Sequence, residues 1–312
     1  MRSRRVVFVY FDGCEVLDFA GPLQAFFEAN SFGAKYRIEH CAVVPQATTN
    51  QGLKLGGLEA LPAVAADDLV IVPGFTPGMV HLPRSLIRWL KRSYDRGAKI
   101  TSVCTGAFAL AQAGLLKNRR CTTHWKRTGE LQKLCLSAEV LADRLFVEDG
   151  RITTSAGIAA GIDMALALIE GDYGPLVAAK VAREMVVYLR RDAHHVQQSV
   201  YLDYRTHLHP GVHSVQDWLT SHPSRKARIE ELAKVAHMSP RNLTRVFREV
   251  TGVSIQNYRT RLRLERARTL MNNPDLTLEA IAGECGFQDA RQLRRVWRRA
   301  YHVAPSRARQ ES

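Results

Sequence analysis

"KITSVCTGAFALAQAGLL", residues 99–116, decides how the first half of the chain reads. A largely apolar, β-branched run ends at Cys104. Thr105-Gly106 follows, and then small and apolar residues recur at helical spacing. A strand apolar on both faces belongs inside a parallel sheet. A sharp turn from such a strand into a helix presents its first residue at the carboxyl end of the sheet, where open α/β sheets bind ligands. Cys104 is therefore a nucleophile, a ligand contact or a buried structural thiol, and the stretch alone leaves all three open.

The same alternation extends to both sides. "VVFVYF" (6–11), "YRIEHCAVV" (36–44) and "LVIVPG" (69–74) read as strands. "GPLQAFFEAN" (21–30), "SLIRWLKRSYDRG" (85–97) and "GAFALAQAGLL" (106–116) read as helices, the last two with Gly97 and Gly114 as stop signals. Residues 151–174 read as a last strand, a glycine turn and a closing helix. Strands alternating with helices predict a doubly wound, flavodoxin-like parallel sheet.

The whole chain sets bounds. Its 312 residues are enough for two domains. An apolar fraction of 46% and a charged fraction of 24% are ordinary for a globular protein. No apolar run approaches the roughly 18 residues that cross a bilayer, so no membrane role is expected. The basic start "MRSRR" leads into a short apolar stretch with no small-residue cleavage site, and reads as a first strand rather than a signal peptide. The six cysteines show no C-x-x-C pairing, which points to reduced thiols and the cytoplasm.

Charge is uneven. Of the net +14, residues 196–312 carry 20 Lys+Arg against 11 Asp+Glu, and 18 of those cations are arginine. Arginine's rigid fork suits phosphate and guanine edges. Between the halves, residues 196–213 are polar, His-rich and interrupted by Pro210-Gly211, as a linker would be. His194, His195, His207 and His209 have no compact ligand spacing, and neither metal nor cofactor is expected.

Residues 214–312 contain a repeat. Shifted by 50, "RNLTRVFREVTGV" (241–253) lies on "RQLRRVWRRAYHV" (291–303) with six of 13 positions identical. Leu243, Val246, Phe247 and Val250 fall on one helical stripe, as do Leu293, Val296, Trp297 and Ala300. The opposite faces carry Arg241, Thr244, Arg245 and Arg248, and Arg291, Arg294, Arg295, Arg298 and Arg299. Each helix follows a short helix and a turn, "IEELAKVAHMS" (229–239) and "LEAIAGECGFQD" (278–289), which makes two helix-turn-helix units. Their second helices fit major grooves, and two of them can enter successive groove faces of one duplex.

These stretches, with "IQNYRTRLRLERARTLMNN" (255–273) joining them, resemble the DNA-binding domain of AraC/XylS-type regulators. The family's usual Ser after the second Gly-Phe is Asp289, which can also cap a helix. By position, the resemblance implies base readers at Arg241, Thr244, Arg245, Arg291, Arg294 and Arg295, and places Asn242 and Gln292 on the DNA-binding surface as well. Arg248 and Arg298 become phosphate contacts. The first 195 residues resemble the PfpI-like, class I glutamine-amidotransferase-like superfamily, most of all the GlxA-type regulators, which join such a domain to an AraC-type one. "FDGCEVLDFAGPLQAF", "VPGF", "VCTGAFALAQAGLL", "TTHW" and "TTSAGIAAGIDMALAL" carry that resemblance. The chain then divides into an effector-sensing domain (1–195), a linker (196–213) and a double helix-turn-helix domain (214–312).

The resemblance places Asp18 where the superfamily's enzymes carry an acidic partner. In the isonitrile-hydrating branch that partner is Asp and the residue after Cys is Thr, as here. The proteolytic branch has His there, and Thr105 argues against it. The following helix's positive end would favour a Cys104 thiolate. N–H groups near Gly74 and Thr105 would offer an oxyanion site, and His124 is a candidate base or orienting group. The expected effector pocket is Asp18, Gly74, Phe75, Cys104, Thr105, His124 and Trp125, with aromatic walls that suit a cationic amine. The expectation is a regulator, not an enzyme, with duplex DNA, a small-molecule effector, RNA polymerase and a second copy of the chain as partners. A cysteine-dependent hydratase or amidase is the alternative.

Overall fold

The computed structural model describes residues 3–187, 204–205, 207–271, 273, 275–301 and 304–305. His194, His195 and residues 196–203 of the expected linker lie outside these. Contacts divide the chain into two units, Met1–Gln197 and Gln198–Ser312.

The main sheet of the first unit is built from β1 (Arg4–Tyr10), β2 (Tyr36–Ala42), β3 (Glu59–Ala60), β4 (Leu69–Val72), β5 (Lys99–Val103), β6 (Phe146–Asp149) and β7 (Ile152–Ser155). β1 lies between β2 and β4 and is parallel to both. β5 and β7 extend the parallel sheet. β6 closes one edge antiparallel, and the short β3 closes the other. The order is β6-β7-β5-β4-β1-β2-β3. Val6 to Val9 and Leu69 to Val72 are buried at every position. Such unbroken apolar runs are what a sheet covered on both faces requires, and each buried aliphatic side chain is worth roughly 1.5–3 kcal/mol by leaving water. Helices α1 (Val16–Ser31), α5 (Ala160–Tyr173) and α6 (Pro175–Glu184) pack together. So do α2 (Arg84–Asp95), α3 (Ala107–Gln112) and α4 (Thr128–Leu134).

Two details correct the sequence reading. Gly21-Pro22 does not start the first helix, which begins at Val16 with Pro22 inside it. Gly21 is there because α5 comes close: a Cβ on it would lie 2.8 Å from the Ile162 side chain. Helix α6, unforeseen, starts at Pro175 after Gly174 in a conformation with positive φ.

The second unit is helical, with α7 (Pro210–Ser221), α8 (Ile229–Val235), α9 (Pro240–Thr251), α10 (Ile255–Met271), α11 (Leu278–Glu284) and α12 (Ala290–Tyr301). Pro210-Gly211 opens a helix rather than interrupting a linker. Pro210 takes the first helical position, where its missing N–H costs nothing, and the His209 side chain accepts the Val212 N–H. Tyr204 already packs edge-on to Tyr258, and His207 stacks on His213 at 4.4 Å. No helix among the described residues is long and apolar enough to cross a membrane.

Candidate effector site and candidate nucleic-acid interface

The carboxyl ends of β1, β4 and β5 meet where the strand order reverses, and the Cys104 turn sits there. Cys104 has φ +55, rare for a residue with a side chain and costly by about 1–3 kcal/mol. The surroundings enforce it. Its N–H donates to the Ala156 carbonyl at 3.0 Å, and its carbonyl accepts the Thr123 hydroxyl at 2.8 Å. Gly106 lets the turn close against the end of β4, since a Cβ there would lie 2.5 Å from the Val72 carbonyl oxygen.

Asp18, on the first turn of α1, is completely buried beneath this turn. Its Oδ2 accepts the Gly74 N–H at 3.0 Å. Burial pushes its carboxyl up to about 7, against the pull of that N–H and of the Cys104 thiol. Burial, and then the neighbouring Asp18 charge, push the Cys104 thiol up to about 12. Desolvation and the neighbouring carboxylate both oppose the thiolate that the helix end was expected to favour. The expected oxyanion donor at Gly74 is engaged by Asp18. The Phe75 N–H is engaged as well, donating to the Thr105 hydroxyl at 2.8 Å while that hydroxyl donates to the Phe75 carbonyl.

Asp18, Gly74, Phe75, Cys104 and Thr105 thus form one buried, hydrogen-bonded cluster. His124 and Trp125, directly after Thr123, stack their rings at 5.7 Å, with Trp125 43% exposed and the Lys126 ammonium 5.1 Å over its ring. His124 Nδ1 accepts the Lys126 N–H. Burial, with Lys126 and Arg127, holds its pKa below the usual value. Among the described residues no hydrogen bond joins it to Cys104. Glu15, Thr123, Gly157 and Ile158 were not anticipated. The Glu15 carboxylate accepts Asn50 and Gln51, tying the 49–53 loop to the start of α1. Gly157 lets the His124 ring lie against the main chain, where a Cβ would come 2.5 Å from Cδ2. Ile158, with φ +34, turns its N–H toward Asp18. The glycines of "TTSAGIAAG" were the available signal. Chemically, the cluster offers a buried carboxyl and a buried thiol side by side, both shifted by burial toward their protonated forms, with the neighbouring N–H groups already engaged.

In the helical unit, Ser239 and Asp289, 50 residues apart, cap α9 and α12 by accepting the N–H groups of Asn242 and Gln292. Leu243 and Phe247 anchor α9, and Leu293 and Trp297 anchor α12, all fully buried or nearly so. Ala300 is exposed and leaves the predicted stripe; Tyr301 takes its place, its ring 4.5 Å from Trp297. Arg241, Asn242, Thr244, Arg245 and Arg248 are exposed on α9, as are Arg291, Arg294, Arg295 and Arg298 on α12. Arg245 donates to Glu249 at 2.8 Å and to Asn242 Oδ1 at 3.0 Å. Gln292 is half-buried, and its side-chain oxygen accepts the Gln288 N–H at 2.6 Å.

The family model described as DJ-1/PfpI family matches residues 4–171, and one described as a helix-turn-helix domain matches residues 232–311. The HTH-type transcriptional regulator CdhR of Pseudomonas aeruginosa is 29% identical, over 97% of this chain and 90% of its own length. The isonitrile hydratase of Pseudomonas putida is 31% identical, over 53% of this chain and 71% of its own. The crystal structure of an AraC family transcriptional regulator from Pseudomonas putida superposes with a TM-score of 0.53 at 21% identity, covering 58% of this chain and 99% of that one.

Proposed function

The chain belongs to the DJ-1/PfpI family and carries an AraC-type helix-turn-helix domain, and from that premise we propose that it is a cytoplasmic transcription regulator that binds promoter DNA and a small-molecule effector. The observation that carries the first part is the pair of equivalent helices, α9 and α12, each anchored by one apolar side and lined with exposed arginines on the other. In this reading Arg241, Thr244, Arg245, Arg291, Arg294 and Arg295 face base edges, Asn242 and Gln292 belong to the same DNA-binding surface, and Arg248 and Arg298 hold phosphates. A homodimer doubles the groove contacts, and RNA polymerase is the partner through which bound protein acts on transcription.

The effector site is the Cys104 cluster, closed by His124 and Trp125. Its buried carboxyl and aromatic rim suit a ligand of the amine or amino-acid class. The likeness to an isonitrile hydratase favours a second reading, a hydratase or amidase using Cys104, with Asp18 or His124 beside it. Two measurements separate them. A regulator binds duplex DNA with log affinity falling against log salt at a slope of about −5 or steeper, as about six neutralised phosphates require. An enzyme turns over isonitriles, nitriles or amides, and its Cys104→Ala variant does not. A shallow salt slope together with such turnover would replace the regulator reading.

A further inference from the structure

The two helix-turn-helix units have separate apolar cores, one around Phe247 and Tyr258, the other around Ile281 and Trp297. Helix α10 runs through both. Near its middle, Arg263 is buried at 8% exposure. Its Nε donates to the Pro223 carbonyl at 2.9 Å, and its Nη2 to the Arg225 carbonyl at 3.5 Å. Both carbonyls belong to the segment between α7 and α8, in the first unit of the pair. The same Nη2 also lies 2.7 Å from where a Cβ on Gly286 would be, in the turn of the second unit. The Ser224 Cα and carbonyl oxygen lie 2.7 and 2.8 Å from that point. The two units therefore touch main chain to main chain, with a guanidinium wedged beside the contact.

Gly286 has φ +74. The left-handed residue of the first turn, His237 at φ +54, carries a full side chain. A left-handed turn does not by itself demand glycine here; the close approach of Ser224 does. A guanidinium buried against carbonyls is also costly unless those carbonyls stay in place. Both features are intelligible if the contact is held in one geometry.

We propose that Arg263, with Gly286 and the Ser224 main chain, is the joint that fixes the angle and separation of α9 and α12, and so the spacing of the two DNA segments the protein reads. This rests on the DNA-binding reading above. Each unit grips only part of α10, so without the joint the units would sample a range of relative orientations. Binding would then carry the cost of ordering them, but a wrongly spaced site would be penalised less. One inserted base pair moves the second segment by roughly 3.4 Å and turns it by roughly 35°.

The test uses the full chain and a duplex that it selects from a randomised pool, with and without two base pairs inserted between the two protected segments. For the wild type, the insertion should weaken binding by about 30-fold, the scale of losing most of one unit's base contacts. Arg263→Met keeps the apolar stem and removes the donors. It should weaken binding to the parent duplex by about tenfold and shrink the insertion penalty to about threefold or less. Arg263→Lys, which keeps a donor, should fall between. A folded Arg263→Met protein with the wild-type insertion penalty would overturn the joint. Loss of helical structure in both variants would assign Arg263 to fold stability and overturn it too. If the wild type selects no sequence at all, the regulator reading itself fails, an outcome distinct from both.

Discussion

Asp18 makes the stability of the α/β unit depend on pH in a direction opposite to that of most carboxylates. Unfolded, it titrates near its ordinary value of 3.8; folded, burial raises it to about 7. Between those values the folded state keeps a proton that the unfolded state has released, so stability falls as pH rises through that window and levels off above it. The full loss is about 4 kcal/mol at most, the shift converted at 1.36 kcal/mol per pH unit. Asp18→Asn cannot ionise yet still accepts the Gly74 N–H. In denaturant titrations of the first unit's transition, the wild-type midpoint should drop between pH 5 and pH 8, and the variant's midpoint should drop much less. Equal drops in the two proteins would mean that Asp18 is not the group responsible. A ligand with an ammonium beside Asp18 would favour the carboxylate and pull its pKa back down. For such a ligand, the carboxyl that weakens the empty site would strengthen the occupied one.

At the scale of elements, α9 and α12 differ in what their arginines already hold. Arg245 is braced by Asn242 and Glu249 on its own helix; the position matching Glu249 in the repeat is Arg299. On α12, Arg294 precedes Arg298 by one helical turn. If the helix enters a major groove with its first turns at the bases, Arg294 reads a base edge and Arg298 a phosphate. Arg294→Ala should then cost about 1–3 kcal/mol on the preferred sequence and relax preference at one position. Arg298→Ala should weaken all duplexes alike and reduce the salt slope by about one. Competition binding with a panel of single-base variants checks this, and uniform weakening by Arg294→Ala would reverse the two roles. Periodicity exposed these elements in the sequence because each has one apolar side and a cap at its start. The central strands were legible for a related reason: a run buried on both faces has no polar interruption. Helix α1 was misplaced because Gly21-Pro22 mimics a start, while the true reason for Gly21 is a neighbour about 140 residues away, Ile162. In the site, Cys104, Asp18 and Gly74 could be named, but not what opposes a thiolate at Cys104 or raises the Asp18 carboxyl. That depends on burial and on which N–H groups are already engaged, and neither is written in local sequence. Gly157, Ile158 and Arg263 were missed for the same reason: each matters through a contact distant along the chain.

For the whole molecule, regulation requires that one unit's ligand alter the other's equilibrium. A ligand that binds both DNA-competent and DNA-incompetent conformations equally shifts nothing, however tightly it binds. The coupling is also reciprocal: if the effector changes DNA affinity by some factor, DNA must change effector affinity by the same factor. Reciprocity gives a test that works for an effector of any identity. A thermal-shift screen of amines, amino acids and their methylated derivatives picks out compounds that stabilise the first unit. For a true effector, DNA affinity measured with saturating compound should change by about 5- to 150-fold, and compound affinity measured with saturating duplex should change by the same factor in the same direction. Asp18→Asn should lose the compound while still binding DNA, because the basic helices carry no part of the Cys104 cluster. A compound that raises the melting temperature through the first unit yet leaves DNA affinity unchanged is a bystander. If every stabilising compound behaves so, the first unit is not the sensor of this protein, whatever its pocket holds.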